Sequence, residues 1–419
     1  MNWFKKSLSK IKHAYALYYF ILVLIIFLPT AITMPSLSFR SAIITAIGVD
    51  KQEDEIAVSV LALSEISKSE MRENTKLLEG AGSTLANAIS NIESAVGRRV
   101  RMGHVGYIVI SQDFADENIA EVLNTLIVAG KVSNTVPLLM CNGKASDLLD
   151  KALNMEQSSS YKMREMINNE FNETFTKDIS IDAFLKGYYS DIHISTLGYV
   201  MLESESVNGI DSSSGQSGEQ SAQPGTSSGG QASQEEQKNT ISYKTEHAVF
   251  NKGKFQYLLS EDEMSGVNWI VEGELQKMIT ITGINEQNMQ DASITFAIDS
   301  HAISPDVSFI AGRPYVTFEV SLTLAPVEII QTADDDQKSL KTITLSDEMQ
   351  EKINDVVKRE VAVALTKLRQ EKTDVIGVYK LLYNHYRPFM DFLDTLSDKT
   401  DFLRYVNIGV DVKSFITSN

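Results

Sequence analysis

One cysteine, Cys141, stands in the whole chain. No disulfide can close within the molecule, and no cysteine-based metal cluster can be assembled. Cys141 follows the apolar run VPLLM, where a buried free thiol is the expected state. Histidine is also scarce: the six at positions 13, 104, 193, 247, 301 and 385 are scattered and include no i, i+4 pair, so the two-histidine helical zinc motif is absent. His104, beside Gly103 at the start of a strand pattern, reads as a structural histidine. No GxGxxG, P-loop, HExxH or Cys–His pairing occurs. Gly215-Gln216-Ser217-Gly218 resembles a fragment of a nucleophile elbow, but no strand pattern precedes it and no helix pattern follows. Positive charge is short as well. With 38 Lys and Arg against 55 Asp and Glu, the net charge of −17 argues against nucleic acid and against broad contact with anionic lipid headgroups. Those carboxylates cannot be paired from sequence alone, so a glycosidase dyad is neither visible nor excluded.

What is abundant is apolar residues in one place. Ala14 to Met34, AYALYYFILVLIIFLPTAITM, carries no charge. A helix of about twenty residues rises roughly 30 Å, the thickness of a bilayer's hydrocarbon core. Lys5, Lys6, Lys10 and Lys12 precede it, and the first acidic residue is Asp50. Positive flanks stay in the cytoplasm, so the rest of the chain is expected outside. Three readings compete. A buried core helix would need a polar face that this stretch lacks. A cleaved signal peptide would use Ser36-Leu37-Ser38. An uncleaved single-pass anchor fits the length of the run best, with residues 1–13 as a cytoplasmic basic tail and 14–34 as the transmembrane helix.

Beyond the anchor the composition is that of a globular protein, 43% hydrophobic and 22% charged. About 345 residues are available for folded structure, enough for two or three domains. Ala42–Val49 and Ile56–Leu63 read as strands around the charged turn Lys51–Glu55. Ser83 precedes Leu85, Ile89, Ile92 and Val96, the spacing of an amphipathic helix. Strands at Val105–Ser111 and Val136–Met140 alternate with helices at Ile119–Ile127 and Ser146–Leu153, an α/β or α+β pattern over 40–195. Serine, glycine and glutamine dominate Glu203–Thr240, a composition that cannot bury enough apolar surface to offset the entropy of ordering. This insertion is expected to interrupt a middle domain over 196–285. His247–Phe250 and Lys254–Leu259 flank the turn residues Asn251-Lys252-Gly253. In the last domain, 286–419, strands at Ile294–Ile298 and Tyr315–Leu324 lead to the strongest helix pattern of the chain. Ser346 caps it, Met349, Ile353, Val357, Val361, Leu365 and Leu368 form one stripe, and Lys358, Arg359 and Glu360 read as its solvated side. Val406, Ile408, Val410 and Val412 close the chain as a period-two strand.

Five blocks carry a resemblance. They are AIGVD (Ala46–Asp50), GHVGYIVISQDFA (Gly103–Ala115), NGKASDLLDKAL (Asn142–Leu153), HAVFNKGKFQYLLSEDEMSGVNWI (His247–Ile270) and TDVIGVY (Thr373–Tyr379). In order and spacing they resemble the Ger(x)C family, the C subunits of the nutrient germinant receptors of endospore-forming bacteria. The resemblance runs from about residue 42 to the end. It singles out Gly48, Asp50, Gly103, His104, Gly143, Ala145, Phe250, Gly253, Lys254, Leu259, Ser260, Glu263, Gly266, Trp269, Asp374 and Gly377 as signature positions, structural or in contact with partners.

The resemblance implies a three-domain mixed α/β extracytoplasmic region of the α+β class, which here follows the single transmembrane helix read from the residues. It implies no catalytic residue, no cofactor and no metal, and a place beside an A-type multi-span subunit and a B-type transporter-like subunit in the spore's inner membrane. Three features depart from the family. Its members are usually lipoproteins with a cysteine directly after the apolar segment, and this chain has none there. The Glu203–Thr240 insertion is long, and Leu126-Ile127-Val128 stands where charged residues are common. The alternatives are a tethered envelope protein of the same fold with another role, and an extracytoplasmic hydrolase.

Overall fold

The computed structural model describes residues 41–64, 74–117, 119–154, 178–203, 240–242, 246–330 (without 272, 274, 276, 286–288 and 290) and 343–417. The apolar run 14–34 and most of the serine-rich insertion lie outside these residues. Among the described residues no helix is long and apolar enough to cross a membrane.

The described residues form two sheets. Strands β1 (Ser41–Gln52), β2 (Glu55–Ser64), β3 (Asn74–Gly82), β4 (Arg99–Arg101), β5 (Tyr107–Ser111), β6 (Leu138–Cys141), β7 (Ile194–Glu203), β8 (Thr240–Ser242), β9 (His247–Asn251) and β10 (Lys254–Leu259) make the first, in the order β10-β9-β7-β6-β5-β1-β2-β3. Short β4 pairs with β1, and β8 with β7. Strands β1, β5, β6 and β7 run parallel, which requires crossovers. Helices α1 (Leu85–Val96), α2 (Ile119–Val128), α3 (Ala145–Asn154) and α4 (Ile181–Tyr188) lie in the intervening stretches. A strand covered on both faces reads as an unbroken apolar run, and YIVIS of β5 and LLMC of β6 are buried at every position. Alternate residues then divide between two cores. Ile108, Ile110, Leu138 and Met140 face the side packed by α1, α2 and α4, whereas Tyr107, Val109, Leu139 and Cys141 face the side packed by α3.

The second sheet is β11 (Met278–Ile284), β12 (Ala292–Ile310), β13 (Arg313–Ile330) and β14 (Asn407–Ile416), in that order. Between β10 and β11 lies α5 (Glu261–Asn268). Between β13 and β14 lie α6 (Asp347–Gln370), α7 (Val378–Tyr383), α8 (Tyr386–Leu393) and a 3₁₀ segment, Lys399–Tyr405. Ser346 caps α6, accepting from the Met349 amide at 3.2 Å, and the expected stripe is buried along its whole length with Ala364 added. This stripe and the inner face of the second sheet share one continuous core with the α3 side of the first.

Strands β7, β9 and β10, which the sequence reading assigns to a middle domain over 196–285, are hydrogen-bonded into the first sheet. Strand β11 belongs to the second, so among the described residues that stretch has no sheet of its own. A further difference concerns α1. Its cap is Thr84, whose hydroxyl accepts from the Asn87 amide at 3.2 Å, while Ser83 bonds the Asn87 side chain.

Candidate functional site at the joint between the sheets

The joint is assembled from β9 onward. In the hairpin β9–β10 the central turn residues Lys252 and Gly253 have φ of 52° and 77°, and Asn251 pairs with Lys254. A two-residue hairpin loop with positive φ at both positions matches the twist of its strands, and glycine adopts that conformation without strain. Ser260 then starts α5 with a capping box. Its hydroxyl accepts from the Glu263 amide, and the Glu263 carboxylate accepts from the Ser260 amide at 2.8 Å. Gly266 meets α6 backbone to backbone: a Cβ there would lie 2.1 Å from the Glu360 carbonyl oxygen and 2.7 Å from Ala364 Cβ.

That close crossing brings one carboxylate oxygen of Glu360 to three donors. Trp269 Nε1 donates at 2.6 Å, Ser265 Oγ at 2.7 Å and Lys277 Nζ at 2.5 Å. The Lys277 ammonium also bonds the Ser265 hydroxyl and stands 5.3 Å from the centre of the Trp269 ring. Burial pushes the Glu360 carboxyl upward. The hydrogen bond and charge of Lys277, followed by the bonds from Trp269 and Ser265, outweigh it and hold the group below the ordinary glutamate range. Trp269 is fully buried, and His301 from β12 sits beneath it, with Nε2 3.2 Å from the Trp269 carbonyl oxygen. Burial lowers the pKa of His301, which favours its neutral form. Glu360, expected on the solvated side of its helix, is therefore the hub of the joint. Its role is that of a clamp: Oε2 is taken up by three of the protein's own donors.

The other signature positions fall into local roles. Asp50 is buried, and its two oxygens accept from the Ala145 and Ser146 amides at 2.7 and 3.0 Å. A carboxylate from β1 thus caps α3, which begins 95 residues later in the chain. Gly48 lets α3 lie on β1, since a Cβ would meet Ser59 Oγ at 2.3 Å and Ala145 and Leu149 at 3.1 Å. Gly143 accepts the Cys141 thiol at 3.2 Å, and burial pushes that thiol's pKa up to about 12. Asp374 repeats the device, its carboxylate accepting from the Val378 and Tyr379 amides at 2.9 and 2.6 Å, with Gly377 at φ 77° before α7. Phe250 packs edge-on to Phe184 and Phe255 in the other core. Leu259 is buried, Lys254 is exposed on the hairpin, and Gly103 and His104 lie exposed in the loop before β5. Only Gly266 and Trp269 are brought into the joint. Among the described residues no group of His, Cys, Asp and Glu is placed to hold a metal ion.

The Asp50 cap yields a first prediction. Asp50→Ala leaves two buried or half-buried amides without their acceptor and should cost about 2 kcal/mol. A urea midpoint equal to that of the parent chain would show that α3 does not depend on the cap.

Comparison with known proteins places the chain in a family. The spore germination protein N-terminal domain family matches residues 40–202, and the spore germination B3/GerAC-like C-terminal family matches residues 245–418. No curated protein matches the chain. The crystal structure of the GerBC protein is similar at 13% identity and a TM-score of 0.49, over 88% of this chain and 96% of that one. The two family matches follow each other in order and leave out only residues 1–39, the insertion with the four residues after it, and the final residue, and the chain belongs to the GerAC, or Ger(x)C, family of spore germination proteins.

Proposed function

We propose that the chain is the C-type subunit of a nutrient germinant receptor. It is a non-catalytic body held outside the spore's inner membrane by the helix 14–34, with residues 1–13 in the cytoplasm. There it supports nutrient-triggered germination in contact with an A-type multi-span subunit and a B-type transporter-like subunit. The observation that carries this reading is the pair of consecutive family matches over 40–202 and 245–418. The signature carboxylates agree with it. Asp50 and Asp374 are spent on helix amides and Glu263 on its capping box, so these carboxylates hold helix starts in place.

Deleting the gene should abolish the spores' response to one class of nutrient while germination by added calcium dipicolinate stays intact. Loss of both responses would move the defect downstream of nutrient sensing. An unchanged nutrient response, in a strain without a second copy of the gene, would reject the reading.

A further inference from the structure

Among the described residues the two ends of β1 carry opposite charge. At its start Ser41, Ala42 and Ile43 pair in parallel with Arg99, Val100 and Arg101 of β4. Val100 packs on the core, while Arg98, Arg99 and Arg101 are exposed. On the other side of β1, Ile44 pairs with Ala62, and Ala62 pairs with Lys76, also exposed. Lys131 joins this edge through the 130–131 turn, where a Cβ on Gly130 would lie 2.9 Å from Met102 Sδ. Among the described residues Glu93 lies beside β4 and accepts from the Val100 amide at 2.8 Å, and Arg98 has an interaction of its own. The far end of β1, about 35 Å away at roughly 3.3 Å per residue, is the reverse. There Glu53, Asp54, Glu55, Asp116 and Glu117 gather with Lys51, which pairs with Glu117 at 2.5 Å.

We propose that this basic rim seats the body on anionic phospholipid headgroups, with the acidic rim turned away from the membrane. The inference rests on reading 14–34 as membrane-inserted. Given that, residues 35–40, one of which is Arg40, can span at most about 22 Å, so the Ser41 end of β1 is held close to the headgroups. Arginine forks match phosphate oxygens in geometry and charge. A lipid surface is favoured over an acidic protein because the rim lies at the edge where the chain leaves the apolar segment. Whole-chain charge, which argues against broad lipid contact, averages over two opposed edges and so conceals the rim.

The test uses the full chain in vesicles. A fluorescent donor is attached at Gly103→Cys, where a Cβ meets open space, and in a second preparation at Asp54→Cys on the acidic rim. Energy transfer to a headgroup-labelled lipid is compared between phosphatidylcholine vesicles and vesicles with about 30% phosphatidylglycerol. At position 103 transfer should rise about twofold in the anionic vesicles and return to the neutral value in about 0.5 M salt, where screening shortens to a few ångströms. Arg99→Glu with Arg101→Glu should abolish the rise, and Arg99→Gln with Arg101→Gln should remove most of it. Position 54 should show no rise. Equal transfer from position 103 in both vesicle types, with the protein bound to each, overturns the rim and leaves the anchor standing. Binding to anionic vesicles alone, lost on charge reversal, overturns the anchor and sustains the rim. Binding to neither overturns both.

Discussion

Gly266→Val should lower the stability of the chain by about 4 kcal/mol, a fall in melting temperature on the order of ten degrees. The side chain would have to occupy space now taken by the Glu360 carbonyl oxygen, 2.1 Å from the ideal Cβ position. That atom is helix backbone and cannot rotate aside, so α5 and α6 must separate. Separation would pull Trp269 from its buried place and part Ser265 from Glu360. Gly266→Ala should show most of the loss, because the collision is already complete at Cβ. Gly103→Ala, at a position with open space, is the matched control. A melting temperature within two or so degrees of the parent for Gly266→Ala would mean that the two helices are not held at this distance.

Removing the Glu360 carboxylate should be nearly as damaging, at about 3 kcal/mol for Glu360→Ala. The change leaves the Lys277 ammonium and the Trp269 indole without their shared acceptor in a mostly buried setting. The same group makes stability depend on acid. Its pKa in the folded chain is lowered from the ordinary glutamate value of 4.5. The stabilisation is therefore fully present above that value and is lost as pH falls through the lower, folded-state one. Parent protein should lose stability on acidification below about pH 4.5 more steeply than Glu360→Gln, which keeps an acceptor but does not titrate. Parallel stability-versus-pH curves for the two proteins would show that Glu360 carries no such charge-dependent bond.

The elements most legible in the sequence are those whose environment is uniform. Parallel strands β5 and β6 are buried on both faces, so their apolar runs are unbroken. Helix α6 has one core face, so its stripe reads clearly. The β9–β10 hairpin is announced by Asn251-Lys252-Gly253, since the turn needs two positive φ angles.

Strand β3, NTKLLEGAG, is hidden by its own packing. Glycine weakens a strand pattern in general, but here α1 lies directly on Gly80 and Gly82, and a Cβ at either would meet Ala88 backbone atoms at 2.7 Å. Strand β12 extends to Ile310, far past the expected Ile298, because its alternation continues through His301, Ile303, Pro305, Val307 and Phe309. Pro305 interrupts that reading by type. It is tolerated because β11 pairs with β12 only as far as Ala297, leaving the distal part an edge on that side. Glu360 is hidden in another way. A glutamate beside an apolar stripe is ordinarily solvated, and only the small residues Gly266 and Ala364, on separate helices, mark the close crossing that buries it.

In the proposed function this chain acts as a body held beside partner subunits, with the apolar helix supplying proximity and no chemistry. Tethering raises the effective concentration of an interface that would be weak in free solution. The direct test is rescue of nutrient germination in a deletion strain by chains that differ only in their attachment. A secreted form lacking residues 14–34 is predicted to fail, and a form carrying a lipoprotein signal and cysteine in place of that helix is predicted to restore the response. Full rescue by the untethered form would contradict the claim.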